Sequence, residues 1–102
     1  KDKEPGDPRY LTLLKNLGDL HRKKAADYGT DVDPLANLRR SEEVGIPPWK
    51  ASWVRANDKV QRVDSYCRNG KLANEGVDDS LLDLAAYSLL TIVLHREAVE
   101  KQ

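Results

Sequence analysis

The run DDSLLDLAAYSLLTIVLHREAVEKQ, residues 78–102, constrains this chain more than any other feature. It is apolar over much of a helical circumference, so a helix built from it should be central in a bundle, with its charged tail from Arg96 onward in solvent. Asp78 or Asp79 is placed to cap its start. Asp83, Tyr87, Ser88 and Thr91 interrupt the stretch from Leu81 to Leu94, which is too short and too polar for a transmembrane span.

The rest of the chain supplies partners for such a helix. Leu11, Leu14, Leu17, Leu20 and Ala25 follow a three-or-four-residue spacing, with Lys15, Asp19, Arg22 and Lys23 on the wet side. Asp7-Pro8 starts that segment and Gly29 ends it, before the turn residues GTDVDP. Pro34 opens a short second helix, PLANLRRSEEVG, closed by Gly45, and the stiff GIPPW connector follows. A third helix begins between Trp49 and Ser52. Its seam is Trp53, Ala56, Val60, Val63 and Cys67, and Asn69-Gly70 stops it. No segment alternates as a strand does. The fold expected is therefore all-α: a bundle of three substantial helices and one short one, with residues 1–8 as an extended lead-in and 9–102 as one domain.

Composition narrows the function classes. Seventeen Lys plus Arg balance seventeen Asp plus Glu, and the mean hydropathy is −0.69. Such a balance gives no support for a chain that coats a nucleic-acid polymer, although a local patch could still bind phosphate, and the interrupted apolar stretch gives none for a membrane partner. The single cysteine, Cys67, excludes an intrachain disulfide and an all-Cys zinc site, and its place on the seam makes it a small buried residue. The sequence begins at Lys1, contains no Met and shows no leader-like segment, so its native N-terminus is expected to be missing. A cytoplasmic location follows as the default. At 102 residues one core can bury roughly 65% of the unfolded surface, and the surplus apolar area of the last helix points to a homo-oligomer, a dimer first.

Asp83 is the most informative polar residue. It lies between Leu82 and Leu84 on the most apolar helix, where a carboxylate has to be paired, hydrogen-bonded or metal-bound. Asp79, four residues earlier, projects from nearly the same face. The two repel unless a divalent cation or a facing Lys or Arg stands between them. The third helix offers Arg55, Asp58, Lys59 and Arg62, which read either as an i,i+3/i,i+4 charge ladder or, through Asp58, as a third oxygen donor for Mg²⁺. Asp64 is a reserve ligand or an ion-pair partner. Lys24, Asp27 and Tyr28 gather a cation, a carboxylate and a phenol at one helix end, suited either to a nucleotide or to locking the terminus. Other signals are weaker. His21 and His95 are far apart without cysteine company, and Trp49 and Trp53 read as core anchors.

The ordered set KKAADYG, DPLANLRRSEEVGIPPW, NDKVQR and DDSLLDLAAYSLL resembles the small phage- and prophage-encoded MazG-like proteins of the dATP/dGTP diphosphohydrolase type, from Leu20 to Leu94. That resemblance implies a MazG-like all-α nucleotide pyrophosphohydrolase fold and location in the host-cell cytoplasm if phage-encoded. It also implies metal dependence and cleavage of a nucleoside triphosphate, expected to be a purine deoxynucleotide, to monophosphate plus pyrophosphate. Asp83 matches the final aspartate of the family pattern and Asp58 one acidic position of the preceding helix. Ser80 stands three residues before Asp83, leaving Asp79 to substitute, and Gln61 stands three after Asp58, so the second acidic pair is absent.

On this reading Asp58, Asp79 and Asp83, with Asp27 as a further candidate, hold Mg²⁺ or Mn²⁺, which positions the triphosphate for attack by water. Asp58, Asp83 and Lys59 form the catalytic group. Lys59, Arg62 or Lys24 neutralises the charge that develops as pyrophosphate leaves. Tyr28, Asn37 and Tyr87 orient the nucleotide, with Trp49 as a wall. The alternative is a catalytically inactive MazG-like module that binds nucleotide or another protein.

Overall fold

The computed structural model describes residues 5–29, 33–72 and 76–101. Residues 1–4 of the expected lead-in and 30–32 of the expected turn lie outside them. Among the described residues the order is α1 (Pro8–Tyr28), α2 (Ala36–Arg39) running into a 3₁₀ turn (Arg40–Val44), α3 (Pro48–Asn69) and α4 (Val77–Glu100), with no strand. The protein is all-α, as the periodicity requires. The chain divides into two compact units, Lys1–Leu35 and Ala36–Gln102.

The first unit is one helix shaped by local rules. Asp7 caps α1, its carboxylate accepting from the Arg9 backbone N–H at 2.8 Å and from the Arg9 guanidinium, while Pro8 occupies the first turn. The Arg9 guanidinium also holds the Asp7 carboxyl below the usual carboxylate range. Asp19 bridges Lys15 at 3.2 Å and Arg22 at 2.8 Å along the exposed face. Gly29 ends the helix where no side chain fits: a Cβ there would stand 2.5 Å from the Pro34 carbonyl oxygen. Leu17 is the buried residue of α1.

The second unit is an antiparallel hairpin of α3 and α4 with α2 and its 3₁₀ turn packed on α3. Gly45 (φ 78°) and Gly70 (φ 76°) stop their helices in the left-handed conformation that favours glycine. Pro48 starts α3 at its first turn, and Gly76, not Asp78 or Asp79, is the N-cap of α4; the two aspartates lie inside its first turn, where their negative charge is favourable at the positive end of the helix dipole. The second helix starts at Ala36 rather than Pro34, because Asp33 first makes a turn by accepting from the Leu35 N–H at 3.0 Å.

The α3–α4 seam keeps the middle of the expected stripe, Ala56, Val60 and Val63, and departs from it at both ends. Ser52 and Ala56 on α3 and Ser80 on α4 are fully buried, and Leu94 is 3% exposed. Trp53, by contrast, is 52% exposed, and Cys67 also lies on the surface. Of the expected seam, Ala56 is buried and Val60 and Val63 are half-buried, while its two ends, Trp53 and Cys67, turn outward. The buried hydroxyls are satisfied within the seam: Thr91 Oγ1 lies 2.7 Å from the Tyr87 carbonyl oxygen and 2.9 Å from Ser52 Oγ. Ser52 Oγ in turn donates to the Tyr87 carbonyl oxygen at 3.3 Å, and among the described residues no buried side-chain nitrogen or oxygen lacks a hydrogen-bond partner. The expectation of a central α4 holds along its α3-facing side only; within the second unit Leu81, Leu89, Ile92 and Val93 remain exposed.

Candidate functional site

An ionic contact joins the hairpin's two helices. Lys59 Nζ of α3 stands 3.1 Å from Asp83 Oδ2 of α4, and the two side chains are only 19% and 18% exposed. The register explains the meeting. Ser52 opposite Thr91 fixes the antiparallel alignment, and moving two turns along α3 and two back along α4 brings Lys59 against Asp83. The paired state expected for a carboxylate between Leu82 and Leu84 is therefore realised, through a facing lysine.

Around this pair the helical phase sets the other charged residues. Arg55, Lys59 and Arg62 follow at i, i+4 and i+7 and make one basic stripe on α3. Asp79 lies one turn before Asp83 on the same side of α4. Asp58, Arg62 and Asp79 are exposed, as is Asn37 on α2, whereas Tyr87 is half-buried and engages the seam through its carbonyl. Lys24, Asp27 and Tyr28 are exposed on the last turns of α1, in the other unit. Asp64 is exposed on α3.

A Mg²⁺ or Mn²⁺ ion needs several hard oxygen donors converging on one point. Asp58, Asp79 and Asp83 have the right donor chemistry, but among the described residues no three acidic, His or Cys side chains converge to hold an ion. The Lys59 ammonium stands against the carboxylate that would lead such a set. As arranged, these residues do not fit a divalent cation.

Periodicity missed the clasp at the open end of the hairpin. Arg39 of α2 forms a two-pronged ion pair with Glu97 of α4, Nη1 to Oε1 and Nη2 to Oε2, the latter at 3.1 Å. Beside it the Trp49 and His95 rings meet edge to face at 5.1 Å, and Lys50 lies over the Trp49 ring. Trp49 thus anchors the start of α3 against the end of α4, and His95 finishes that packing stripe. The only hint in the sequence was a pair of opposite charges 58 residues apart, which no local rule connects.

Set beside known proteins, the chain is 32% identical over 80 residues, 78% of its length, to the Gag polyprotein of avian spleen necrosis virus. It spans about a quarter of that protein's length (25%). No family model matches the chain, and no solved structure does. Among the described residues no helix is long and apolar enough to cross a membrane.

Proposed function

We propose that the protein is a MazG-like, metal-dependent nucleoside triphosphate diphosphohydrolase that releases monophosphate and pyrophosphate, acting on a purine deoxynucleotide as a homodimer in the cytoplasm, that of the host cell if the gene is phage-borne. The observation that carries this reading is the mostly buried Lys59–Asp83 contact between α3 and α4. Such a pair is a costly thing to keep in a small helical core, where apolar residues of similar size are often as stable or more so. It lies on α3 and α4, which hold two of the four segments of the resemblance, on the flank of the Arg55–Lys59–Arg62 basic stripe. Asp58, Asp79 and Asp83 are the acidic candidates for Mg²⁺ or Mn²⁺, and reaching that arrangement requires their side chains to regroup.

The test is to incubate purified protein with each nucleoside triphosphate and Mg²⁺ or Mn²⁺ and to measure monophosphate and pyrophosphate separately. Equal release of the two products, lost in a folded Asp83→Asn variant, is expected. Release of inorganic phosphate alone, or no turnover of any triphosphate, would overturn the reading.

A second reading is a non-catalytic helical module that binds nucleotide or another protein. It is favoured by the exposed Leu89, Ile92 and Val93 on α4 and by the match to a segment of a polyprotein. Nucleotide binding without turnover, or capture of a partner abolished by Leu89→Lys, would select it.

A further inference from the structure

We propose that the outward face of α4 seats the same helix of a second copy of this chain, running antiparallel, so that two hairpins meet across a two-fold axis between Ala85 and Leu89. The pairing rests on the homodimer part of the reading above and is independent of its nucleotide chemistry. The seam with α3 takes Ser80, Thr91 and Leu94 of α4. The opposite side of the helix carries Leu82, Ala85, Leu89, Ile92, Arg96 and Val99 at alternating intervals of three and four, the spacing with which one helix packs lengthwise against another. Of these only Leu82 is half-buried; the rest are exposed, as are Leu81 and Val93 on the flanks.

Charge decides the occupant and its direction. Asp78 and Arg96 are eighteen residues apart, about five turns at 3.6 residues each, so both project from the middle of this face, about 27 Å from one another along the helix. Both are exposed, and among the described residues neither has an ion-pair or hydrogen-bond partner. A parallel copy would set Arg96 against Arg96 and Asp78 against Asp78. An antiparallel copy sets Arg96 against the partner's Asp78, Ile92 against the partner's Leu82 and Leu89 against the partner's Ala85. The three pairs share one midpoint in the sequence, so a single two-fold axis satisfies all of them, each twice. Exposed ion pairs add little affinity, so the apolar layers supply the attraction and the charges at the two ends set the direction. The Lys59–Asp83 contact is turned toward α3 and stays outside this interface.

The measurement is the dimerisation constant from sedimentation equilibrium of the full chain and of Leu89→Glu, Arg96→Asp, Asp78→Arg and Asp78→Arg/Arg96→Asp, each checked for helicity by circular dichroism. Leu89→Glu is expected to weaken dimerisation on the order of a hundredfold, since it puts a carboxylate into an apolar layer twice per dimer. Either single charge reversal is expected to weaken it roughly tenfold, less at high salt, and the double reversal to restore it. Should the double variant not fold, an equimolar mixture of Arg96→Asp and Asp78→Arg decides, because opposite charges meet at both ends of the mixed dimer and its constant should return to that of the unmodified chain. If Leu89→Glu leaves a dimer intact, the α4 face is wrong and the homodimer stands. If Leu89→Glu separates the copies while the single reversals change nothing, the antiparallel direction is overturned. If the unmodified chain is a monomer across the whole concentration range, the α4 pairing and the homodimer fall together.

Discussion

The helix α1, of 21 residues, and the helices α3 and α4, of 22 and 24, are alike in length and opposite in what holds them. α1 has a side-chain cap, a proline in its first turn, a surface charge ladder and one buried side chain. α3 and α4 lack side-chain caps and keep their ordered ends through Pro48, Gly70 and the acidic first turn of α4, while buried serines, an alanine and a leucine lie along their contact. The difference separates helices specified residue by residue from helices specified by each other. Lengthening the list of local signals would strengthen α1; it would do little for the hairpin, whose stability is in the seam.

Truncation is the hardest blow to that contrast. Leu94→Ala, at the buried end of the hairpin, is expected to cost about 2–5 kcal/mol. Leu14→Ala on the open face of α1 should cost under about 1 kcal/mol. Urea unfolding of both variants checks this, and equal midpoints would remove the distinction between the regions.

Next in size is the ion pair. Asp83→Asn removes the carboxylate that faces Lys59 at 3.1 Å, and a fully buried pair broken on one side costs about 3–5 kcal/mol. Because the two side chains keep some contact with water, about 2–3 kcal/mol is expected here. A stability change below about 0.5 kcal/mol, read from the same unfolding curves, would place the pair in solvent.

Overpacking comes third. Ala56→Leu inserts a branched side chain where nothing of Ala56 is exposed, and about 1–3 kcal/mol of destabilisation is expected together with loss of amide-exchange protection around Ser52 and Thr91. A stabilised Ala56→Leu would mean that the seam holds a void.

The smallest effect belongs to α1. Its folded-state pKa being below that of the unfolded chain, the Asp7 carboxylate supports the helix fully above the unfolded value of ~3.9 and loses that contribution as pH falls through the folded one. Protection of the Arg9 and Tyr10 amides, taken relative to their intrinsic exchange rates at each pH, should therefore fall on acidification through this range and not on alkalinisation, and high salt should blunt the response because the group is exposed. An Asp7→Asn variant with the same pH profile would assign the effect elsewhere.

How much of the site could be read in the sequence follows the same division. Asp83 was recognisable from its neighbours alone, since a carboxylate between two leucines on an apolar helix has to find a partner. Lys59 was nameable as a candidate, but its meeting with Asp83 depends on a register set by Ser52 against Thr91, residues that carry no conspicuous signal. The Arg39–Glu97 clasp offered only opposite charges 58 residues apart, and of the expected seam Ala56 is buried and Val60 and Val63 half-buried, while Trp53 and Cys67 at its ends lie on the surface.

The sequence by itself determined where helices end, at Gly29, Gly45 and Gly70, and their starts to within a few residues, because caps, prolines, glycines and a three-or-four-residue period act locally. Only the tertiary structure decided which face of α3 meets α4, and with it which charges meet. Close approach of two backbones rewards small side chains, so Ser52, Ala56 and Ser80 took the interior, Trp53 turned to the surface, and Lys59 was brought to Asp83.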